Sequence, residues 1–291
     1  MRRVLVTIFT LIAMQCAGEL LQGQELLNVW PRNAPGETSR LVGEKAPAVA
    51  GENPPSTRII NITSPTLSVH IPAHPTGTGV VILPGGGFSK VVTDKEGTEA
   101  AAWLNELGIT AFVLSYRTKA SASDNGWARP LQDAQRAVSL VRSQAATLHL
   151  KPDRIGILGF SAGGQVAARL LCERDKRSYE AVDEVDQVSM RPDFALLIYP
   201  WNLYDEKAGQ LIEELKIPAD SPPAFLVHTD DDRSSSLGTV LFYAGLKKLK
   251  IPAELHVYGN GGHGYGLRDI TGSRISTWPD HAASWLKNHG F

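Results

Sequence analysis

Cysteine is nearly absent from this chain. Its 291 residues hold two, Cys16 and Cys172. If the N-terminal segment is removed on export, Cys172 has no intramolecular partner and no disulfide can form, so the fold must be held by its core. Cys172 lies in an apolar helical stretch and is expected to pack as a small hydrophobe. A surplus of one charge is missing too. The 29 basic and 30 acidic residues leave a net charge of -1, spread without blocks. This disfavours a nucleic-acid partner or an anionic membrane surface. No apolar run reaches the roughly 18 residues that would mark a membrane-spanning helix. His-x-x-x-His pairs are lacking apart from His70 and His74, which fall in a strand and the following loop rather than on a helix. A zinc site is therefore not expected, nor any other metal or cofactor. Internal repeats and low-complexity linkers are also missing, so one domain is the economical reading.

The N-terminus stands apart. Arg2 and Arg3 precede the apolar run Val4 to Met14, with small residues at Cys16 and Gly18. A basic start followed by roughly a dozen apolar residues has the form of a secretory signal peptide, here residues 1–23. Gln15 is a poor neighbour for a lipid-modified Cys16. The expected destination is the periplasm or beyond, with no membrane attachment after removal of the signal. Residues 24–291 then form the mature domain. Residues 24–55, rich in Pro, Gly, Asn and Glu, read as an ordered but irregular arm.

Beyond the arm, Arg58–Ile62 and Leu67–Ile71 alternate at period two and suggest an antiparallel pair at a sheet edge. From Gly79 the pattern becomes strand, loop, helix, repeated. Val80–Leu83, Ile109–Tyr116, Arg154–Leu158, Phe194–Tyr199, Ala224–His228 and Glu254–Tyr258 are apolar strands. Helices are expected near 98–107, from Pro130 in the N1 role onward, after Ser161, at 237–249 and at 279–288. Such alternation predicts a mostly parallel sheet covered on both faces, an α/β fold. Only about 20 residues separate Tyr199 from Ser221, too few for a large lid domain.

Chemistry in open α/β sheets sits beyond the C-terminal ends of strands. Three candidates lie there. Gly159-Phe160-Ser161-Ala162-Gly163 fits G-x-S-x-G, a sharp strand-to-helix turn that presents a serine. Asp230-Asp231-Asp232 follows the Phe225 strand, and Gly261-Gly262-His263-Gly264 follows the last strand. Serine is a poor nucleophile until a base takes its proton, histidine can take and return that proton, and a carboxylate fixes the imidazole tautomer. Ser161 is thus the expected nucleophile and His263 the base. Asp232 is the first choice for the acid and Asp231 the alternative, while Asp230 is placed at the strand end. The remaining histidines, His228 among them, read as strand, helix or turn residues without catalytic context. Gly85-Gly86-Gly87 follows a strand and offers backbone N–H donors without side chains. Gly86 or Gly87, together with Ala162, are the expected oxyanion donors. No Lys-Ser/Thr pair follows, which disfavours a nucleotide loop. Trp127, Trp201 and Tyr265 could stack on a sugar or simply anchor loops, and are left outside the site.

The segments Pro84-Gly85-Gly86-Gly87-Phe88, Asp133-Ala134-Gln135-Arg136, Gly159–Gly164, His228-Thr229-Asp230-Asp231-Asp232 and Gly261–Arg268 together resemble the bacterial α/β-hydrolases of the acetyl xylan esterase or "xylanase B"-like esterase family. They are similar also to the feruloyl-esterase-like and hormone-sensitive-lipase-like groups. The resemblance runs from about Trp30 to the C-terminus. It implies the α/β-hydrolase fold, the second Asp of an Asp-Asp pair as triad acid (Asp232 here), and a secreted serine carboxylesterase. The implied substrate is a small acyl group, acetyl above all, on carbohydrate such as xylan or xylo-oligosaccharides. Ser234-Ser235-Ser236 departs from the family pattern just after the acid. A prolyl-oligopeptidase-like peptidase shares the elbow context, although the propeller such enzymes carry is missing. A hydrolase-fold protein that binds carbohydrate without cleaving it is the reading from another class.

Overall fold

The computed structural model describes residues 26–118, 125–173 and 176–291. The expected signal peptide and Cys16 lie outside them. In chain order the strands are β1 (Leu26–Asn28), β2 (Val42–Lys45), β3 (Arg58–Ile62), β4 (Thr66–His70), β5 (Gly79–Leu83), β6 (Val91–Val92), β7 (Thr110–Ser115), β8 (Ile155–Phe160), β9 (Phe194–Ile198), β10 (Tyr204–Asp205), β11 (Gln210–Leu211), β12 (Ala224–Thr229) and β13 (Ala253–Tyr258). The α-helices are α1 (Glu99–Glu106), α2 (Ala128–Ser143), α3 (Ser161–Cys172), α4 (Leu237–Lys248) and α5 (Trp278–Asn288).

Eight strands share one sheet in the order β1-β4-β7-β5-β8-β9-β12-β13. From β7 to β13 every pairing is parallel, and β4 runs antiparallel to both β1 and β7. Strands β5, β8, β9 and β12 are buried at every residue. Continuous apolar runs are what a sheet covered on both faces requires. Alternation within a strand divides the core in two. Val81 and Leu83 face one cluster with residues of α2, α3 and α4. Val80 and Ile82 face the other, with Ala100 and Leu104 of α1 and Trp278, Ala282 and Trp285 of α5. Between β9 and β12 the only regular structure is the short β10–β11 ribbon, so among the described residues no large lid covers the C-terminal strand ends.

Three local expectations are corrected. First, β3 and β4 do not pair with each other. Strand β3 joins β2 and β6 in a separate three-stranded sheet, while β4 enters the main sheet. Asn61 takes a left-handed conformation (φ 58°), and the N–H groups of Thr63 and Ser64 bond the Leu41 carbonyl instead of β4. Second, the arm is not wholly irregular, since it supplies β1 and β2. Third, α2 starts at Ala128, so Pro130 stands third in the helix rather than first. It still lies in the first turn, where a missing N–H costs nothing.

The arm is fastened by a buried ion pair. Arg117, just past β7, bonds Asp133 of α2 through Nε at 2.9 Å, and both side chains are fully buried. The Trp30 indole N–H donates to Asp133 Oδ1 at 2.8 Å, and Arg117 Nη1 donates to the Pro35 carbonyl at 2.7 Å. Removing one partner of such a pair costs about 3–5 kcal/mol, because the other charge is left buried and alone. Cys172 is half-buried against the same core, and burial pushes its thiol up to about 12. Among the described residues no helix is long and apolar enough to cross a membrane, and no group of three or more His, Cys, Asp or Glu could hold a metal.

Candidate active site

Strand β8 ends at Phe160 and α3 begins at Ser161 with no loop between them. Ser161 is held at φ 52°, a conformation that costs a non-glycine residue on the order of 1–3 kcal/mol. The flanking glycines make this turn possible. A Cβ on Gly159 would stand 2.6 Å from the Gly163 carbonyl oxygen, and one on Gly163 would run into the Leu83 carbonyl at the end of β5. The serine therefore sits at the sheet's C-terminal edge, at the N-terminus of α3, where the helix dipole favours negative charge.

His263 lies in the loop after β13, and its neighbours fix that loop. Asp231 accepts the N–H groups of Gly262 (2.8 Å) and Gly261 (3.2 Å), and Thr229 Oγ1 donates to the Gly262 carbonyl at 2.7 Å. The imidazole bridges two side chains. His263 Nε2 lies 2.6 Å from Ser161 Oγ, and Nδ1 lies 2.6 Å from Asp232 Oδ2. A carboxylate facing Nδ1 places the ring proton there, which leaves the Nε2 lone pair for the serine hydroxyl. Of the three consecutive aspartates, Asp232 reaches His263, Asp231 organises the histidine loop, and Asp230 is exposed at the end of β12.

The Asp232 carboxylate is buried, which opposes ionisation. Bonds from His228, His263 and the Ser234 N–H outweigh that cost and hold it well below the usual carboxylate range. Ser234, where the sequence departs from the family pattern, closes this loop. Its N–H serves Asp232 Oδ1 at 2.8 Å, its carbonyl faces His228, and its Oγ accepts the Asn202 N–H at 2.9 Å.

His228 departs from the sequence reading, which gave it no catalytic context. It is completely buried on β12, with Nε2 3.1 Å from Asp232 Oδ2 and 3.0 Å from the Ser234 carbonyl. Two acceptors around Nε2 make it the protonated nitrogen. Nδ1 lies 2.7 Å from Thr239 Oγ1, so the ring is bonded on both sides. The signal in the sequence was its spacing, four residues before Asp232.

The glycine run packs directly on the serine. A Cβ on Gly85 would lie 2.8 Å from Ser161 Cβ. The Gly85 N–H is already committed to Glu96 Oε2 at 2.7 Å, so the run's remaining amides belong to Gly86 and Gly87, both at positive φ. Ala162 is the second residue of α3, and its N–H has no acceptor within the helix. Tyr116 Oη donates to the Pro84 carbonyl at 2.6 Å and steadies the strand end before the glycines.

Of the three aromatics left outside the site, Trp201 adjoins it. Its ring stands edge-on to His263 with centroids 5.3 Å apart, and it lines a cavity of about 400 Å³ with Tyr204, Asp205, Lys207 and Arg233. Trp127 instead carries the Arg169 guanidinium on its face, and Tyr265 is buried against Tyr199. Sequence reasoning also missed Glu96 and Tyr199. Both are buried beside the site and bonded to each other at 2.9 Å.

Residues 67–197 match the BD-FAE family model. An acetylxylan esterase of Xylanibacter ruminicola is 27% identical over 221 residues, which are 68% of this chain and 43% of that protein. An endo-1,4-beta-xylanase B of Butyrivibrio fibrisolvens is 30% identical over 204 residues, 64% of this chain and 32% of that protein. The chain thus spans less than half the length of either curated relative. The crystal structure of an acetyl ester-xyloside bifunctional hydrolase from Caldicellulosiruptor lactoaceticus superposes with a TM-score of 0.73 at 29% identity, covering 92% of this chain and 97% of that one.

Proposed function

We propose that this chain, which is similar to acetyl xylan esterase-like α/β-hydrolases, is a secreted serine carboxylesterase removing small acyl groups, acetyl above all, from carbohydrate. One observation carries the reading: an unbroken relay of two 2.6 Å contacts from Ser161 Oγ through His263 to Asp232, mounted on a strained strand-to-helix turn.

The geometry sets the order of events. His263 Nε2 takes the Ser161 proton as Oγ attacks the ester carbonyl carbon. Asp232 stabilises the imidazolium that forms, and its lowered pKa keeps it ionised while it does so. Negative charge collects on the carbonyl oxygen. The N–H groups of Ala162 and of Gly86 or Gly87 are the donors assigned to it, and losing one such donor typically costs about 10²–10³ in rate. Collapse of the tetrahedral intermediate breaks the ester C–O bond, and His263 returns the proton to the departing alcohol. Water activated by the same imidazole then hydrolyses the acyl-enzyme, and the acid is released.

Three observations support a carbohydrate ester as substrate. Among the described residues no large lid covers the site, so a bulky alcohol can approach. The half-buried Trp201 and its polar cavity adjoin His263 on one side. One similar protein is named an acetylxylan esterase and another an acetyl ester-xyloside bifunctional hydrolase. Export is read from the basic start and apolar run at residues 2–14. The test is acetate release from acetylated xylan and acetylated xylo-oligosaccharides. Release from these in preference to a simple aryl acetate is expected. Cleavage of aryl acetate with no release from any acetylated sugar would overturn the substrate assignment.

A further inference from the structure

We propose that Glu96 is a positioning residue that ties the oxyanion loop to the histidine loop across the back of Ser161. The inference rests on the serine-esterase reading above and extends it to a residue that touches no reacting atom. Glu96 sits on a single π-helical turn, Asp94–Thr98, ahead of α1. Such wide turns are rare and recur at functional sites. This one directs an acidic side chain inward, where it is 3% exposed.

The bonds of Glu96 run to two separate loops. Oε2 accepts the Gly85 N–H at 2.7 Å, one residue before the amides assigned to the oxyanion. Oε1 accepts the Tyr199 hydroxyl at 2.9 Å. The Tyr199 oxygen in turn accepts the Gly266 N–H at 2.9 Å, three residues beyond His263, and the Tyr199 ring stands edge-on to the His263 ring with centroids 5.1 Å apart. Gly85 is packed so closely that a Cβ there would lie 2.6 Å from Glu96 Oε2 and 2.8 Å from Ser161 Cβ. The carboxylate and the nucleophile thus press on the same glycine. Taking a carboxylate out of water is expensive, and here its bonds are to a backbone amide and a phenol rather than to a cation. Two acceptors on one rigid plane hold two donors from different loops at a fixed separation. A glutamine fills the same space, but if its Oε1 keeps the Gly85 N–H its N–H₂ can meet Tyr199 only as a donor, which reverses that bond and takes the acceptor away from the phenol proton.

The experiment compares wild type, Glu96→Gln and Tyr199→Phe by steady-state kinetics on 4-nitrophenyl acetate. Turnover is normalised to active sites titrated with a fluorophosphonate that labels Ser161, and the labelling rate is recorded. Misplacement of a catalytic group by about 1 Å costs about 10²-fold, so kcat per titrated site should fall about 30- to 100-fold in Glu96→Gln with KM within about threefold. Tyr199→Phe should fall about tenfold, and labelling should slow in parallel. A role in folding alone would lower the melting temperature and the titrated fraction but leave turnover per site intact. That result in both variants overturns the proposal. If Glu96→Gln does not fold, Tyr199→Phe decides alone, because it removes one hydroxyl and keeps the ring. Wild type that neither labels at Ser161 nor turns over would overturn the esterase reading itself.

Discussion

His228 Nε2 lies 3.1 Å from Asp232 Oδ2, the same oxygen that faces His263 Nδ1 at 2.6 Å. One carboxylate oxygen therefore serves two imidazoles, one buried behind it, the other at the serine. Asp232 is held from behind by His228 and the Ser234 N–H, so it cannot swing away when His263 moves. His228→Asn shortens the side chain and should break its bonds to both Asp232 and Thr239. Unpairing buried partners of this kind costs about 1–3 kcal/mol, which urea denaturation would register. Turnover should fall about tenfold, because the acid loses one of its fixed bonds.

The adjacent carboxylates separate cleanly by substitution. Asp232→Asn removes the charge that sets the His263 tautomer and should lower kcat by about 10³–10⁴-fold. Asp231→Asn loosens the Gly261–Gly262 turn without touching the imidazole, and its loss should stay within about tenfold. The reverse order in kinetics on one ester would reassign the acid.

Acid titration offers an independent check on the arm. The Arg58 guanidinium beside Glu52 holds that carboxyl down to about 2. An unfolded glutamate titrates near about 4.3, so the contribution of Glu52 is complete above that pH and is lost as pH falls from about 4.3 towards about 2. The pair is partly solvated, which keeps the effect small. Denaturation midpoints of wild type and Glu52→Gln should differ above about pH 5, draw together as pH falls below about 4, and converge near about pH 2. A gap that persists into acid would contradict the assignment.

Much of the sheet was legible because burial on both faces demands unbroken apolar strands, and the order Ser161, Asp232, His263 was legible because each residue follows such a strand. Pairing partners were harder. Strand β1 is three residues long and owes its place to β4, and β3 found β2 and β6 rather than its neighbour in sequence. Neighbouring aspartates differ only in where the loop turns each carboxylate, which no local pattern encodes. Glu96 was invisible for a similar reason. Its partners stand 11 and 103 residues away in sequence, and nothing in Asp94-Lys95-Glu96-Gly97-Thr98 marks a π-helical turn.

The relay from Ser161 to Asp232 is tested most directly by hydrolysis of 4-nitrophenyl acetate by purified wild type and Ser161→Ala under identical conditions. Wild type should turn over with a burst of nitrophenol equal to one acyl group per chain, and the variant should lose at least about 10³-fold in rate with its fold retained by circular dichroism. Equal rates in the two proteins would contradict Ser161 as the nucleophile and the whole mechanism built on it.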